Sequence, residues 1–450
     1  MNPPESKAAF PAGLGNVFVI AVLNALSFQI VLSSPMVLYA KTLGASATVL
    51  GIIAGMMPLL VIFQIPAAQY ISRVGYKQFV YAGWGVRVMF IFAMALVPLT
   101  GGFLNTTTQL VLILALLFCF NLSRGISSAA WLPWITALVP AALRGKYLSV
   151  EAAFVNLASF VALLVSALWL GGRAQAWQFA ALFGFSAVMG VGSLVFLKRI
   201  PEGASPEPGS ASGAPVPWRA IAGFAPFRRL LRVVFAWSLA YGGLTVFTVA
   251  WLKTEAGLTE GRILLMTSVT FLGGLSSLWL LGARLDQFGS KPVLTFSFAL
   301  CLLLLAGWAA LAGGAWAPGL FIILPLQLFL GLCNALVSMA NTRLVMAIVP
   351  VMGRNHFFAL YSVVGSLTLG LAPVLWGLLI DVLAPVRIAG PGFEWNRYSI
   401  FFAAAGAVFA VALALCRQLE EPEAASTEKL LKEILIDSPQ RAWLRLWLRG

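Results

Sequence analysis

The chain is 450 residues long, with 60% hydrophobic and only 10% charged residues and a mean hydropathy of +0.93. This excludes a fold whose surface lies mainly in water. A spanning helix takes about 20 apolar residues, so length and composition predict an all-α polytopic membrane protein with room for about twelve spans. The net charge of +14 would suggest nucleic acid in a soluble protein, but here it concentrates in alternate loops, and no nucleic-acid partner is expected.

Met1 to Pro11 is short and polar, and the apolar run that follows, Leu14 to Tyr39, is too long for a signal-peptide core, so no cleavable signal is expected. Spans 1 to 6 are predicted at 15–39, 47–70, 77–99, 108–132, 147–170 and 176–197. Gly51 and Gly55 in span 2 offer a flat face for close helix packing. Span 1 carries the polar residues Asn24, Gln29, Ser33 and Ser34.

Two arginines stand out. Arg87 lies ten residues past Lys77, about 15 Å along a helix and hence near mid-membrane. Arg124 lies somewhat on the inner side of the centre of span 4. An arginine at that depth costs about 2.5 to 3.5 kcal/mol on insertion scales, so each must line a wet cavity or tie helices together through carbonyl groups. No Asp or Glu occurs in the central part of any span, and a positively charged cavity would attract an anion. Glu151, about one turn into span 5, reads either as a proton-accepting carboxylate or as a first-turn glutamate favoured by the helix dipole.

Residues 198–219 are rich in Pro, Gly and Ser and form a linker. The basic residues Arg228, Arg229 and Arg232 follow and are expected to lie against anionic headgroups ahead of span 7. Spans 7 to 12 are predicted at 232–252, 262–284, 291–313, 318–343, 357–381 and 398–416. Tyr241 and Thr245 in span 7 and Asn334 and Asn341 in span 10 are polar. They suit either a binding site or interhelical hydrogen bonds. Arg343 is expected to reach toward the inner surface, and His356 to be a surface group.

Trp134, Trp177, Trp251 and Trp395 fall near span ends and suggest an interfacial belt. Cys119, Cys301, Cys333 and Cys416 lie in apolar runs without paired spacing and read as core residues, not a disulfide or metal site. In the tail, Leu430, Leu431, Ile434 and Leu435 share a helical face, and after Ser438-Pro439 the residues Arg441, Arg445 and Arg449 recur among Trp443, Leu444, Trp447 and Leu448. That pattern suits a helix lying in the headgroup region.

With the N-terminus inside, inner loops and tails hold 20 Lys/Arg and outer loops six, which predicts cytoplasmic termini. The expected organisation is an N-terminus at 1–14, a six-helix bundle at 15–197, a cytoplasmic linker at 198–231, a second six-helix bundle at 232–416 and an amphipathic tail at 417–450.

The two bundles are related. Gly282 to Lys291 reads Gly-Ala-Arg-Leu-Asp-Gln-Phe-Gly-Ser-Lys, and 214 residues earlier Ala68 to Lys77 reads Ala-Gln-Tyr-Ile-Ser-Arg-Val-Gly-Tyr-Lys. A second echo, Val139-Pro140 with Arg144 against Val349-Pro350 with Arg354, has an offset of 210. Two echoes at nearly one offset indicate a duplication.

The loop pattern resembles the signature between helices 2 and 3 in the major facilitator superfamily of secondary transporters, Gly-x-x-x-Asp-Arg-x-Gly-x-Lys/Arg. Gly282, Asp286, Gly289 and Lys291 match it, with Gln287 replacing arginine. In the first half Arg73, Gly75 and Lys77 match, while Ala68 and Ser72 depart. The resemblance implies two pseudo-symmetric six-helix bundles, a bacterial inner-membrane location and alternating access. It further implies that Asp286 latches onto the start of span 5, near Tyr147 to Glu151, with Ser72 an uncharged counterpart facing span 11. Asn24, Gln29, Tyr241, Asn334 and Asn341 lie on helices that line the family's central cavity.

The leading expectation is therefore a secondary transporter of a small molecule, an organic anion if Arg87 and Arg124 bind it, with protons as one coupling ion. An exporter of an amphipathic compound and a non-transporting sensor or assembly protein are the alternatives. An enzyme is not expected, because the spans have no His, paired carboxylates or Cys/His arrangement. No Gly-x-x-x-x-Gly-Lys-Ser/Thr loop is present to drive transport with ATP. Nothing calls for a cofactor, and a monomer or a dimer fits equally.

Overall fold

A computed structural model describes residues 15–139, 144–202, 223–280, 288–349 and 354–419, together with Glu421, Glu428 and Leu430. Among these residues, 12 helical stretches are long and apolar enough to cross a membrane. Spans 1 to 6 are Gly15–Thr42, Ala47–Ile71, Tyr76–Gly102, Thr106–Ile135, Tyr147–Leu170 and Ala176–Leu197. Spans 7 to 12 are Ala225–Thr254, Glu260–Leu278, Ser290–Ala312, Leu320–Ile348, Phe357–Val382 and Arg397–Cys416. The contacts divide the chain into unit 1, Met1–Ala214 with Thr245–Ser268, and unit 2, Pro215–Leu244 with Val269–Gly450.

Spans 1 and 7 are broken helices. Span 1 comprises Gly15–Val31 and Ser34–Thr42, with Ser33 extended and Pro35 in the first turn of the second piece. Proline has no N–H to donate and its ring obstructs the preceding turn, so the helix restarts there. Span 7 comprises Ala225–Tyr241 and Leu244–Thr254, and Gly243 between them has φ +89°. The breaks begin at Leu32 and Gly242. Their separation, 242 − 32 = 210 residues, equals one of the repeat offsets in the sequence.

The loop motif has a matching structural counterpart in each half. Gly75 (φ +86°) and Gly289 (φ +82°) directly precede the first residues of spans 3 and 9, a backbone conformation that L side chains rarely adopt. Two residues later, Lys77 donates to the Lys198 carbonyl at 2.9 Å. Lys291 correspondingly donates to the carbonyls of Arg417 and Leu419 at 3.1 and 2.8 Å. Each lysine thus caps the C-terminal end of the last helix of its half, where unpaired carbonyls concentrate negative charge. Gly282 and Asp286 lie outside the described residues, as does the side chain of Ser72; the Arg73 side chain is exposed.

Several expectations need correction. Span 7 begins at Ala225 with proline in its first turn, so Arg228, Arg229 and Arg232 belong to the helix and do not precede it. Arg343 does not simply reach for the surface: its guanidinium pairs with Glu421 and lies 3.3 Å from the Ser290 hydroxyl. Trp134 and Trp251 are buried, whereas Trp177 and Trp395 are exposed. Trp134 instead donates from its indole N–H to the Pro201 carbonyl at 3.1 Å, satisfying a buried polar atom inside the protein.

Between spans 11 and 12 a hairpin forms from β1 (Arg387–Gly390) and β2 (Phe393–Asn396), antiparallel with Arg387 opposite Asn396. It docks on the end of span 9, where the Glu394 N–H donates to the Gly313 carbonyl at 2.8 Å and the Asn396 amide to Ala312 at 2.7 Å. The His356 side chain, most of the linker and nearly all of the tail beyond Glu421 lie outside the described residues.

Candidate functional site

A cavity of about 320 Å³ opens within unit 1, lined by Asn24, Phe28 and Gln29 of span 1, Trp84 and Arg87 of span 3, Arg124, Ser128 and Trp131 of span 4, and Glu151 of span 5. The lining follows helical spacing. Asn24 and Phe28, Trp84 and Arg87, and Arg124, Ser128 and Trp131 recur three or four residues apart, so each helix presents one continuous strip to the cavity.

Arg87 is 2% exposed and donates to the Asn24 side-chain oxygen at 2.8 Å. Its guanidinium carbon lies 4.0 Å from the Trp84 ring centre and 4.5 Å from that of Phe28. Two aromatic faces therefore flank the cation, each worth about 0.5 to 2 kcal/mol depending on desolvation. Trp84 in turn packs on Trp131, with ring centres 5.0 Å apart. The Arg124 guanidinium carbon lies 5.8 Å from the Phe28 ring centre.

Among the described residues, no carboxylate forms an ion pair with either arginine. Arg87 Nε and Arg124 Nη1 are buried without a hydrogen-bond partner, as is Gln29 Oε1. Unmet donors on two neighbouring cations are costly unless another group fills them. Glu151 lines the cavity without contacting either guanidinium as an ion pair.

Of the residues singled out from the sequence, Asn24, Gln29, Arg87, Arg124 and Glu151 meet in this cavity. Tyr241, Asn334 and Asn341 do not: all three belong to unit 2, where Tyr241 stacks on Trp237 at 5.6 Å and Asn341 is buried with its side-chain oxygen unpaired. Sequence reasoning missed Phe28, Trp84 and Trp131. The signal was available in their spacing, four residues from Asn24, three from Arg87 and seven from Arg124. It also missed Glu421, whose contacts depend on three helix ends meeting.

The sequence profile described as Major Facilitator Superfamily matches residues 17–326 and 245–450. No curated protein matches the chain in sequence. Among solved structures, a D-xylose-proton symporter superimposes with a TM-score of 0.69 at 15% identity, covering 92% of this chain and 99% of the other. The nucleoside transporter NupG gives 0.63 at 12%, covering 91% and 99%. A bacterial homolog of the human lysosomal transporter Spinster, inward-facing and occupied, gives 0.63 at 12%, covering 92% and 98%. At these identities the similarity concerns the fold. The profile match, the twelve apolar spans and the repeated helix breaks agree: the chain belongs to the Major Facilitator Superfamily.

Proposed function

We propose that the protein is a secondary transporter of a small organic anion, which binds in the unit 1 cavity between Arg87 and Arg124. The observation that carries this reading is a buried guanidinium, that of Arg87, and a half-buried one, that of Arg124, each with a buried donor left unfilled, Arg87 Nε and Arg124 Nη1, beside a cavity of about 320 Å³. A carboxylate, sulfonate or phosphate oxygen satisfies such donors with charge-assisted hydrogen bonds. The aromatic surfaces of Phe28, Trp84 and Trp131 suit an apolar body attached to that group.

Glu151 supplies a route to proton coupling. With Glu151 ionised, the lining carries two positive charges and one negative; protonation removes the negative charge and favours the anion. By linkage, bound anion favours the proton to the same extent. The helix breaks in spans 1 and 7 support alternating access, since discontinuous helices recur where transporters bind substrate near mid-membrane. For the loops, we assign Ser72, Arg73, Gly75 and Lys77, with Gly282, Asp286, Gly289 and Lys291, to gating, supported by the matched lysine caps. The Lys/Arg bias between loops supports cytoplasmic termini in a bacterial inner membrane.

The test is a thermal-shift screen of detergent-purified protein against organic anions and uncharged amphipaths, with Arg87→Ala and Arg124→Ala alongside wild type. Ligands of the folded state raise its melting temperature. Anions are expected to stabilise wild type and neither folded variant. Equal stabilisation of all three proteins by the same ligands would remove the arginines from the site.

A further inference from the structure

A second cavity, of about 580 Å³, lies in unit 2 between spans 7, 11 and 12. Phe235 and Leu239 of span 7, Val364 of span 11, and Val408, Val411 and Leu415 of span 12 line it, and Arg232 is the charged residue among its walls. Phe235 and Val411 are 51% and 53% exposed. On span 12, Phe401, Phe402, Ala405 and Phe409 are buried, whereas the groove residues Ala407 and Val411 are exposed, so the groove lies toward that helix's outer side.

The polar and apolar ends of the groove have a fixed order. Span 7 begins at Ala225 and span 12 ends at Cys416; because successive spans alternate in direction, these two ends reach the same membrane face. Arg232 and Leu415 therefore mark the end near that face, and Leu239 and Ala407 the end toward mid-membrane, about 10 to 12 Å deeper at 1.5 Å per residue. Arg228 lies one turn closer to the surface on the same side of the helix. Both arginines are exposed, and neither has a carboxylate in ion-pair contact among the described residues. An apolar slot that opens along the membrane interior, with cations at headgroup level, has the layout of a phospholipid.

We propose that this groove binds one phospholipid with an anionic headgroup, its acyl chain between spans 7, 11 and 12 and its phosphate at Arg232 and Arg228. A second copy of the chain is the less suitable occupant. A two-fold axis along the membrane normal would bring the same patch together at the same depth, cationic mouth against cationic mouth.

The experiment uses the delipidated full chain in a neutral detergent and compares phosphatidylglycerol, phosphatidylcholine and inorganic phosphate by thermal shift, with native mass spectrometry to count bound lipid. Phosphatidylglycerol is expected to raise the melting temperature above phosphatidylcholine and to remain bound at one per chain, while phosphate alone does nothing. Arg232→Gln should lose the preference between the two lipids, and Arg232→Lys should restore most of it. Ala407→Trp, which fills an exposed part of the wall, should lose the bound lipid; Arg87→Gln, in the other cavity, should keep it. Equal shifts from both lipids, an equal shift from phosphate alone, or an undiminished phosphatidylglycerol effect in folded Arg232→Gln would overturn the proposal. So would conversion of a dimer to a monomer by Ala407→Trp with lipid binding unchanged.

Discussion

Glu421 pairs with Arg343 of span 10, and the same carboxylate accepts the main-chain N–H groups of Ser290 and Lys291 at 2.8 to 3.0 Å. One side chain beyond the end of span 12 therefore joins the start of span 9 to the later part of span 10. The arrangement uses the positive end of span 9, where unpaired N–H groups attract an anion. Lys291 completes it from the other direction through the carbonyls at the end of span 12.

Glu421→Ala should destabilise the protein by about 2 kcal/mol, because it leaves the partly buried Arg343 guanidinium and two helix N–H groups without their acceptor. Arg343→Ala should cost less, and the double variant less than the sum of the two. Unfolding in detergent by heat or denaturant measures this; strictly additive losses would show that the two residues act independently.

The two lysine caps should behave alike. Lys77→Met and Lys291→Met are each expected to lower stability by about 1 kcal/mol through lost hydrogen bonds to helix-end carbonyls. An effect from only one of them would mean that the structural repeat is not an energetic one.

In the cavity, Arg87→Lys keeps the charge but loses the flat guanidinium held between Trp84 and Phe28. Anion affinity should fall about tenfold or more, equivalent to about 1.4 kcal/mol, with the fold retained. Titration calorimetry with an anion from the screen reads this directly, and unchanged affinity would leave only net charge as the binding principle.

Glu151→Gln separates coupling from binding. Proteoliposomes carrying the variant should exchange labelled anion for unlabelled anion but should not accumulate it under an imposed proton gradient. Gradient-driven accumulation at the wild-type level would exclude Glu151 from coupling.

Where spans 8 and 10 cross, a Cβ on Gly273 would collide with the Leu328 carbonyl, and one on Gly331 with the Thr270 carbonyl. Gly331→Ala should therefore cost about 1 to 3 kcal/mol by forcing the helices apart. Gly85→Ala meets nothing within 4 Å and should be neutral or slightly stabilising, since alanine is the better helix former. Melting temperatures in one detergent distinguish the two.

Hydropathy by itself determined the membrane class and the twelve spans, because a bilayer requires long apolar helices whatever their packing partners. The repeated loop determined the duplication and the family resemblance, and the depth of Arg87 and Arg124 marked them as costly wherever they pointed. Tertiary structure decided which of the polar residues meet. Asn24, Gln29 and Glu151 gather around the two arginines, while Tyr241, Asn334 and Asn341, of similar polarity, belong to unit 2. Packing also decided that Trp134 and Trp251 are core residues and that Arg343 has Glu421 as its partner. Sequence spacing specifies which residues share a face of one helix; which faces come together depends on how several helices pack, and that has no local signature.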